Sequence, residues 1–115
     1  MKYGLRQHTV DQICAVLAQY SQVERAVLYG SRAKGNYKPG SDIDLTLFGT
    51  SLTPRLCASI AEALDDLLLP YTIDLSLFAQ LQHPELEAHI QRVGQVFYAR
   101  EHTSEQQPDA APSLV

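Results

Sequence analysis

The chain has no tryptophan, one methionine and only two cysteines in 115 residues. Cys14 and Cys57 stand far apart with no CxxC spacing, which excludes a disulfide framework and a thiolate cage of the zinc-ribbon kind. Both fall in helix-like segments and read as reduced core thiols, so a cytoplasmic protein is expected. No apolar run approaches the roughly 20 residues that span a bilayer, and MKYGLRQHTV lacks the apolar stretch of a signal peptide. Bases are scarce as well: 9 Lys and Arg against 13 Asp and Glu give a formal charge of −4, which argues against a nucleic-acid polymer as the main partner. A small anion needs only a local basic spot. His8, His83, His89 and His102 include no i, i+4 pair, so they read as surface or cap residues and not as metal ligands.

What the chain does have is a 45% hydrophobic content and a clear order of elements, enough for one compact α/β or α+β domain. Thr9 and Gln12 have the spacing of a capping box, and Ile13, Val16, Leu17 and Tyr20 recur at helical intervals, so the first helix is expected to end near Ser21. Ala26–Tyr29 is a short apolar run suited to a buried strand, and Asp42–Phe48 is a second strand. Thr53 and Pro54 open a helix with Leu56, Ile60, Leu64 and Leu67 as its stripe, running to Pro70. Tyr71–Phe78 reads as a third strand, Pro84 opens a helix with Leu86, Ile90 and Val93, and Gly94 marks its stop. Gln95–Ala99 adds a last short strand. The folded domain is therefore placed at residues 1–101, with 102–115 as a polar, proline-bearing, disordered tail. Ten residues separate Ser31 from Asp42, close to the minimum for a parallel crossover, so the first two strands should be antiparallel. The second and third enclose a helix and should be parallel with a right-handed crossover.

The second and third strands carry an unusual load. IDLTLF at Ile43–Phe48 is echoed by IDLSLF at Ile73–Phe78. Alternation turns Ile43, Leu45 and Leu47 to one face and Asp42, Asp44 and Thr46 to the other. In near register Asp74 joins the acids. A lone strand aspartate is usually an edge or turn-proximal residue. Three on two neighbouring strands repel one another unless a cation lies between them, and oxygen-only donors suit Mg²⁺ or Mn²⁺. A calcium loop of the EF-hand type needs glycine where Leu47 stands.

Upstream of the acids lies GSRAKGNYKPGS, Gly30–Ser41. Gly30 closes the first strand, Ser31 offers a hydroxyl, and Ser31–Lys34 can begin a short helix with free N–H groups for an anion. Arg25, Arg32, Lys34 and Lys38 are four of the chain's nine bases, and no acid falls among them. The loop is not a P-loop, since Asn36 and Tyr37 follow Gly35 where Lys and Ser or Thr would be needed. Tyr37 and Tyr71 flank the same region as rim or packing residues or as contacts to a base.

Gly-Ser, ten residues, then Asp-x-Asp arises by chance in about one chain in a thousand of this length, at roughly 6% usage per letter. This pattern, at Gly30, Ser31, Asp42 and Asp44 with Ser41 beside it, resembles the minimal nucleotidyltransferase family of the DNA-polymerase-β-like superfamily. The resemblance extends over about Val23 to Ala99, and Asp74 matches the family's third carboxylate by placement. It implies a nucleotidyltransferase fold of α+β class, with a small mixed sheet flanked by helices. It further implies transfer of AMP from ATP, with Asp42, Asp44 and Asp74 holding two Mg²⁺ ions and Asp74 as candidate base. Gly30 and Ser31 would hold the nucleotide's β and γ phosphates, Ser41 would be a further nucleotide-binding residue, and Arg32 or Lys34 would neutralise the leaving pyrophosphate or contact a partner or water. Such proteins pair with HEPN-domain RNase toxins, whose tyrosine would be the acceptor. Two other readings stand beside this one: neutralisation by binding alone, and an aminoglycoside-type small-molecule nucleotidyltransferase.

Overall fold

The computed structural model describes residues 2–100. Its elements are α1 (Gln7–Ala18), β1 (Arg25–Tyr29), α2 (Gly30–Lys34), β2 (Ile43–Phe48), α3 (Pro54–Asp65), β3 (Ile73–Leu77), a 3-10 turn (Phe78–Gln80), α4 (Pro84–Val93) and β4 (Gln95–Ala99). The expected tail lies outside the described residues.

The strands form one mixed sheet in the order β3-β2-β1-β4. β1 pairs antiparallel with both β2 and β4, and β2 pairs parallel with β3, as the connection lengths require. Helices pack on both faces. On one face Ile43, Leu45 and Leu47 are fully buried with Ala26 and Leu28 against Ile13 and Leu17 of α1 and Ile60 and Leu64 of α3. Each aliphatic side chain removed from water in this way stabilises the fold by about 1.5–3 kcal/mol. On the opposite face Val27 and Tyr29 pack with Ile90 of α4, with Phe48, Phe78, Leu81 and Leu86 at the margins. The periodicity of α4 shows an apolar stripe but not the sheet face it covers.

Helix ends follow local chemistry in part, and α3 stops at Asp65, short of the expected Pro70. Thr53 Oγ1 accepts from the Leu56 N–H at 3.1 Å with Pro54 behind it, as expected. His83 Nδ1 likewise accepts from the Leu86 N–H at 3.1 Å, which makes it a cap residue. α1, however, begins at Gln7 after Arg6 with no side-chain cap, so the Thr9–Gln12 capping box does not form. The cause is tertiary: the Lys2–Leu5 backbone bridge and the full burial of Leu5 start the helix earlier than the local pattern suggests. Gly94 ends α4 in extended conformation, and a β-carbon there would collide with the Ile90 carbonyl and the Val27 side chain. It stops the helix by close packing and not by left-handed geometry.

Candidate functional site

The acids collect where β1 ends and β2 and β3 begin. Asp44 and Asp74 are register partners on neighbouring parallel strands, and Tyr29 faces Asp44 from the other side. Directly paired residues share a sheet face, so Tyr29, Asp44 and Asp74 form one row across three strands. Asp42 is exposed and lies just before β2, on the open side of that row. The β2–β3 pairing is closed at this end by the Ile43 N–H donating to the Thr72 carbonyl at 2.9 Å.

Electrostatics tie the three carboxylates together. Burial pushes the Asp44 carboxyl above its ordinary value, and the negative charges of Asp74 and then Asp42 push it further. Even so, among the described residues no set of three or more His, Cys, Asp or Glu side chains has the spacing to hold a metal ion as it stands. The convergence expected from sequence is therefore a pair in register with a third charge nearby, not a closed three-ligand cage. The donor chemistry still fits a hard divalent cation, because uncompensated carboxylates this close repel and a cation relieves that repulsion.

Gly30 is the hinge between β1 and α2. Its φ of +76° is costly for any residue with a β-carbon, and a β-carbon there would collide with the Asp44 carboxylate. Ser31 follows in the first turn of α2, half-buried, and its carbonyl accepts from the N–H groups of Gly35 and Asn36 at 2.9 and 3.2 Å. Lys34 is exposed in the last turn.

Arg32 departs from expectation. It is 2% exposed, its Nε and Nη2 donate to the Ser41 carbonyl at 3.1 and 2.8 Å, and Nη1 donates to the Tyr3 carbonyl at 2.8 Å. The guanidinium also lies over the rings of Tyr71 and Tyr37, 4.9 and 5.3 Å from their centroids. Its donors point inward to backbone oxygen, and the structure makes it a clamp on the residue that precedes Asp42. Ser41 is a turn residue too: its Oγ accepts from the Lys38 N–H at 2.8 Å, while its own N–H donates to the Lys38 carbonyl at 2.9 Å.

Sequence reading missed Tyr29. Burial raises its phenol pKa, the approach of Ser76 acts the other way, and the charges of Asp74 and Asp44 add to the rise, so the phenol keeps its proton. His89 of α4 meets the Tyr29 ring edge-on, 6.3 Å between centroids. The only available sequence signal was alternation, which puts Tyr29 and Val27 on one face of β1. A cleft of about 640 Å³ lies at the other end of the sheet, between Arg25, Phe48, Phe78 and Arg100, and contains none of these residues.

Comparison with known proteins adds a family and a fold. The family profile described as polymerase beta, nucleotidyltransferase matches residues 11–103. No curated protein sequence matches the chain at a significant level. Among solved structures, the chain is similar to a toxin–antitoxin crystal structure with AMP-PNP, at TM-score 0.65 and 19% identity, covering 84% of this chain and 77% of the other. It is similar to a chain of the MntA–HepT toxin–antitoxin at TM-score 0.61 and 18% identity, covering 87% and 78%. It is also similar to a chain of the tri-AMPylated Shewanella oneidensis HEPN toxin in complex with its MNT antitoxin, at TM-score 0.63 and 17% identity, covering 88% and 78%.

Proposed function

The chain belongs to the polymerase β nucleotidyltransferase family, and from that premise we propose that it is an antitoxin that transfers AMP from ATP to a tyrosine hydroxyl of a HEPN-domain toxin. The observation that carries this reading is the row of Asp44 and Asp74 in register, with Asp42 beside it and Gly30 and Ser31 at the end of the adjoining strand. The similarity to toxin–antitoxin structures, one with AMP-PNP and one with an AMPylated toxin, supports the partner and the nucleotide.

Asp42, Asp44 and Asp74 would hold Mg²⁺, which when bound neutralises phosphate charge and polarises the α-phosphoryl group. The Gly30–Ser31 turn binds the β and γ phosphates through backbone N–H groups and the Ser31 hydroxyl. Asp74 stands on the edge strand, exposed, where a protein acceptor can approach. There it takes the proton of the attacking tyrosine hydroxyl as the new oxygen–phosphorus bond forms and the bond to pyrophosphate breaks. Lys34 is exposed near the turn and is placed to meet the leaving pyrophosphate.

Intact-mass measurement of the toxin, incubated with this chain, ATP and Mg²⁺, tests the reading. The toxin should gain AMP, while Asp42→Asn with Asp44→Asn should abolish the gain and leave the complex intact. Neutralisation by binding alone is the second reading, favoured by the lack, among the described residues, of a ready three-ligand set. It is the correct one if the double variant silences the toxin as well as the parent chain does.

A further inference from the structure

Directly below the acid row lies a second row that the reaction does not use. Thr46 follows Asp44 by two residues and Ser76 follows Asp74 by two, and they are register partners. The two strands differ within their shared hexad only at this position, and both carry a hydroxyl there. Thr46 is fully buried, and among the described residues neither Thr46 Oγ1 nor Ser76 Oγ has a hydrogen-bond partner. The Tyr29 hydroxyl approaches Ser76 but leaves Ser76 Oγ without a partner in full hydrogen-bonding geometry.

Buried hydroxyls are seldom left unpaired, and valine or alanine would fill the same space with no polar group to satisfy. Two facing hydroxyls with the Tyr29 hydroxyl beside Ser76 provide the polar contacts that a buried water needs. Residues two apart on one strand face are about 7 Å apart at the backbone, a span that one water closes between a hydroxyl and a carboxylate. Building on the nucleotidyl-transfer reading, we propose that Thr46 and Ser76 orient the Asp44 and Asp74 carboxylates for metal through one buried water. They are positioning residues: they touch neither nucleotide nor acceptor. Groups behind metal ligands typically change metal affinity 10- to 100-fold when removed.

The test uses the full chain and Mn²⁺ as the probe, with free Mn²⁺ counted by electron paramagnetic resonance and thermal melting followed in EDTA. Thr46→Val and Ser76→Ala should each weaken Mn²⁺ binding about tenfold, with melting temperature in EDTA unchanged or raised. Thr46→Ser, which keeps the hydroxyl, should bind as the parent does. The proposal is overturned if the double variant binds Mn²⁺ within about twofold of the parent. Equal loss in Thr46→Ser and Thr46→Val also overturns it, because packing and not the hydroxyl would then be responsible. Should Thr46→Val fail to fold, Ser76→Ala decides the matter by the same criterion. A parent chain that binds no Mn²⁺ at all refutes the nucleotidyl-transfer reading itself, a result distinct from parent-like binding by the variants.

Discussion

The Asp44 carboxylate occupies the space into which a β-carbon at position 30 would project, so Gly30 and Asp44 are fitted to each other. The glycine thus has two physical reasons to be there, its φ of +76° and the close approach of the acid. Gly30→Ala should lower stability by roughly 2 kcal/mol in urea melts, from the left-handed backbone and the displaced side chain. Under the proposed function, AMP transfer should fall by about a hundredfold, since small misplacements of a reacting group have effects of that size. A Gly30→Ala chain with parent-like transfer would sink the fit between the two residues as a functional feature.

The Asp44 carboxyl has a second consequence, for stability against pH. Burial first, then Asp74 and Asp42, raise its pKa in the folded chain. The folded state therefore binds that proton more tightly than the unfolded state does, and stability falls as pH rises from the ordinary carboxylate range, about 4, through the raised value. Asp44→Asn removes the ionisation. In EDTA the variant should resist urea better than the parent at pH 7, and the advantage should shrink at pH 3, where the parent's carboxyl is protonated in both states. A urea midpoint difference that is the same at the two pH values contradicts the raised pKa.

The repeated hexad makes much of this region legible in the sequence. Its register is as the sequence suggested, with Asp44 opposite Asp74 and Thr46 opposite Ser76. Alternation correctly sorted Ile43, Leu45 and Leu47 to the buried face of the helices α1 and α3. The fate of Arg32 was not legible, because an arginine in a glycine-punctuated basic loop looks like an anion contact. Its burial depends on Tyr3 and Tyr71, which are remote in sequence. The covering of Thr46 was hidden for a similar reason: it depends on which face α4 returns to, and an amphipathic stripe carries no such information.

The two cysteines give a simple check on the packing. Burial raises the Cys57 thiol pKa, and burial with the charge of Asp11 raises that of Cys14, against a smaller opposing effect of Lys2. Cys14 Sγ also donates to the Phe97 carbonyl at 3.5 Å, which ties α1 to β4. Thiolate is the reactive form, so both should label slowly with a disulfide reagent at pH 7.5 in the native chain. Both should label at the rate of free thiols in urea. Rapid native labelling of either would show that its helix is not packed as described.

Arg32 offers the sharpest separation between a residue that binds nucleotide and one that builds the loop. Its planar fork reaches the Ser41 carbonyl through two nitrogens and the Tyr3 carbonyl through a third, between two aromatic rings. Lysine retains the charge but has neither the fork nor the stacking plane. If the side chain served the pyrophosphate, Arg32→Lys would change transfer kinetics and leave stability alone. As a clamp it should instead cost about 3 kcal/mol in urea melts, the scale of lost charge-assisted hydrogen bonds at a buried site, and open the Asn36–Ser41 segment to limited proteolysis. Transfer should fall as well, because the Ser41 carbonyl that it holds is one residue from Asp42. Lys34→Ala is the control: it is exposed, so stability should stay within about 0.5 kcal/mol of the parent. An Arg32→Lys chain as stable and as protease-resistant as the parent would refute the clamp and return Arg32 to the list of phosphate contacts.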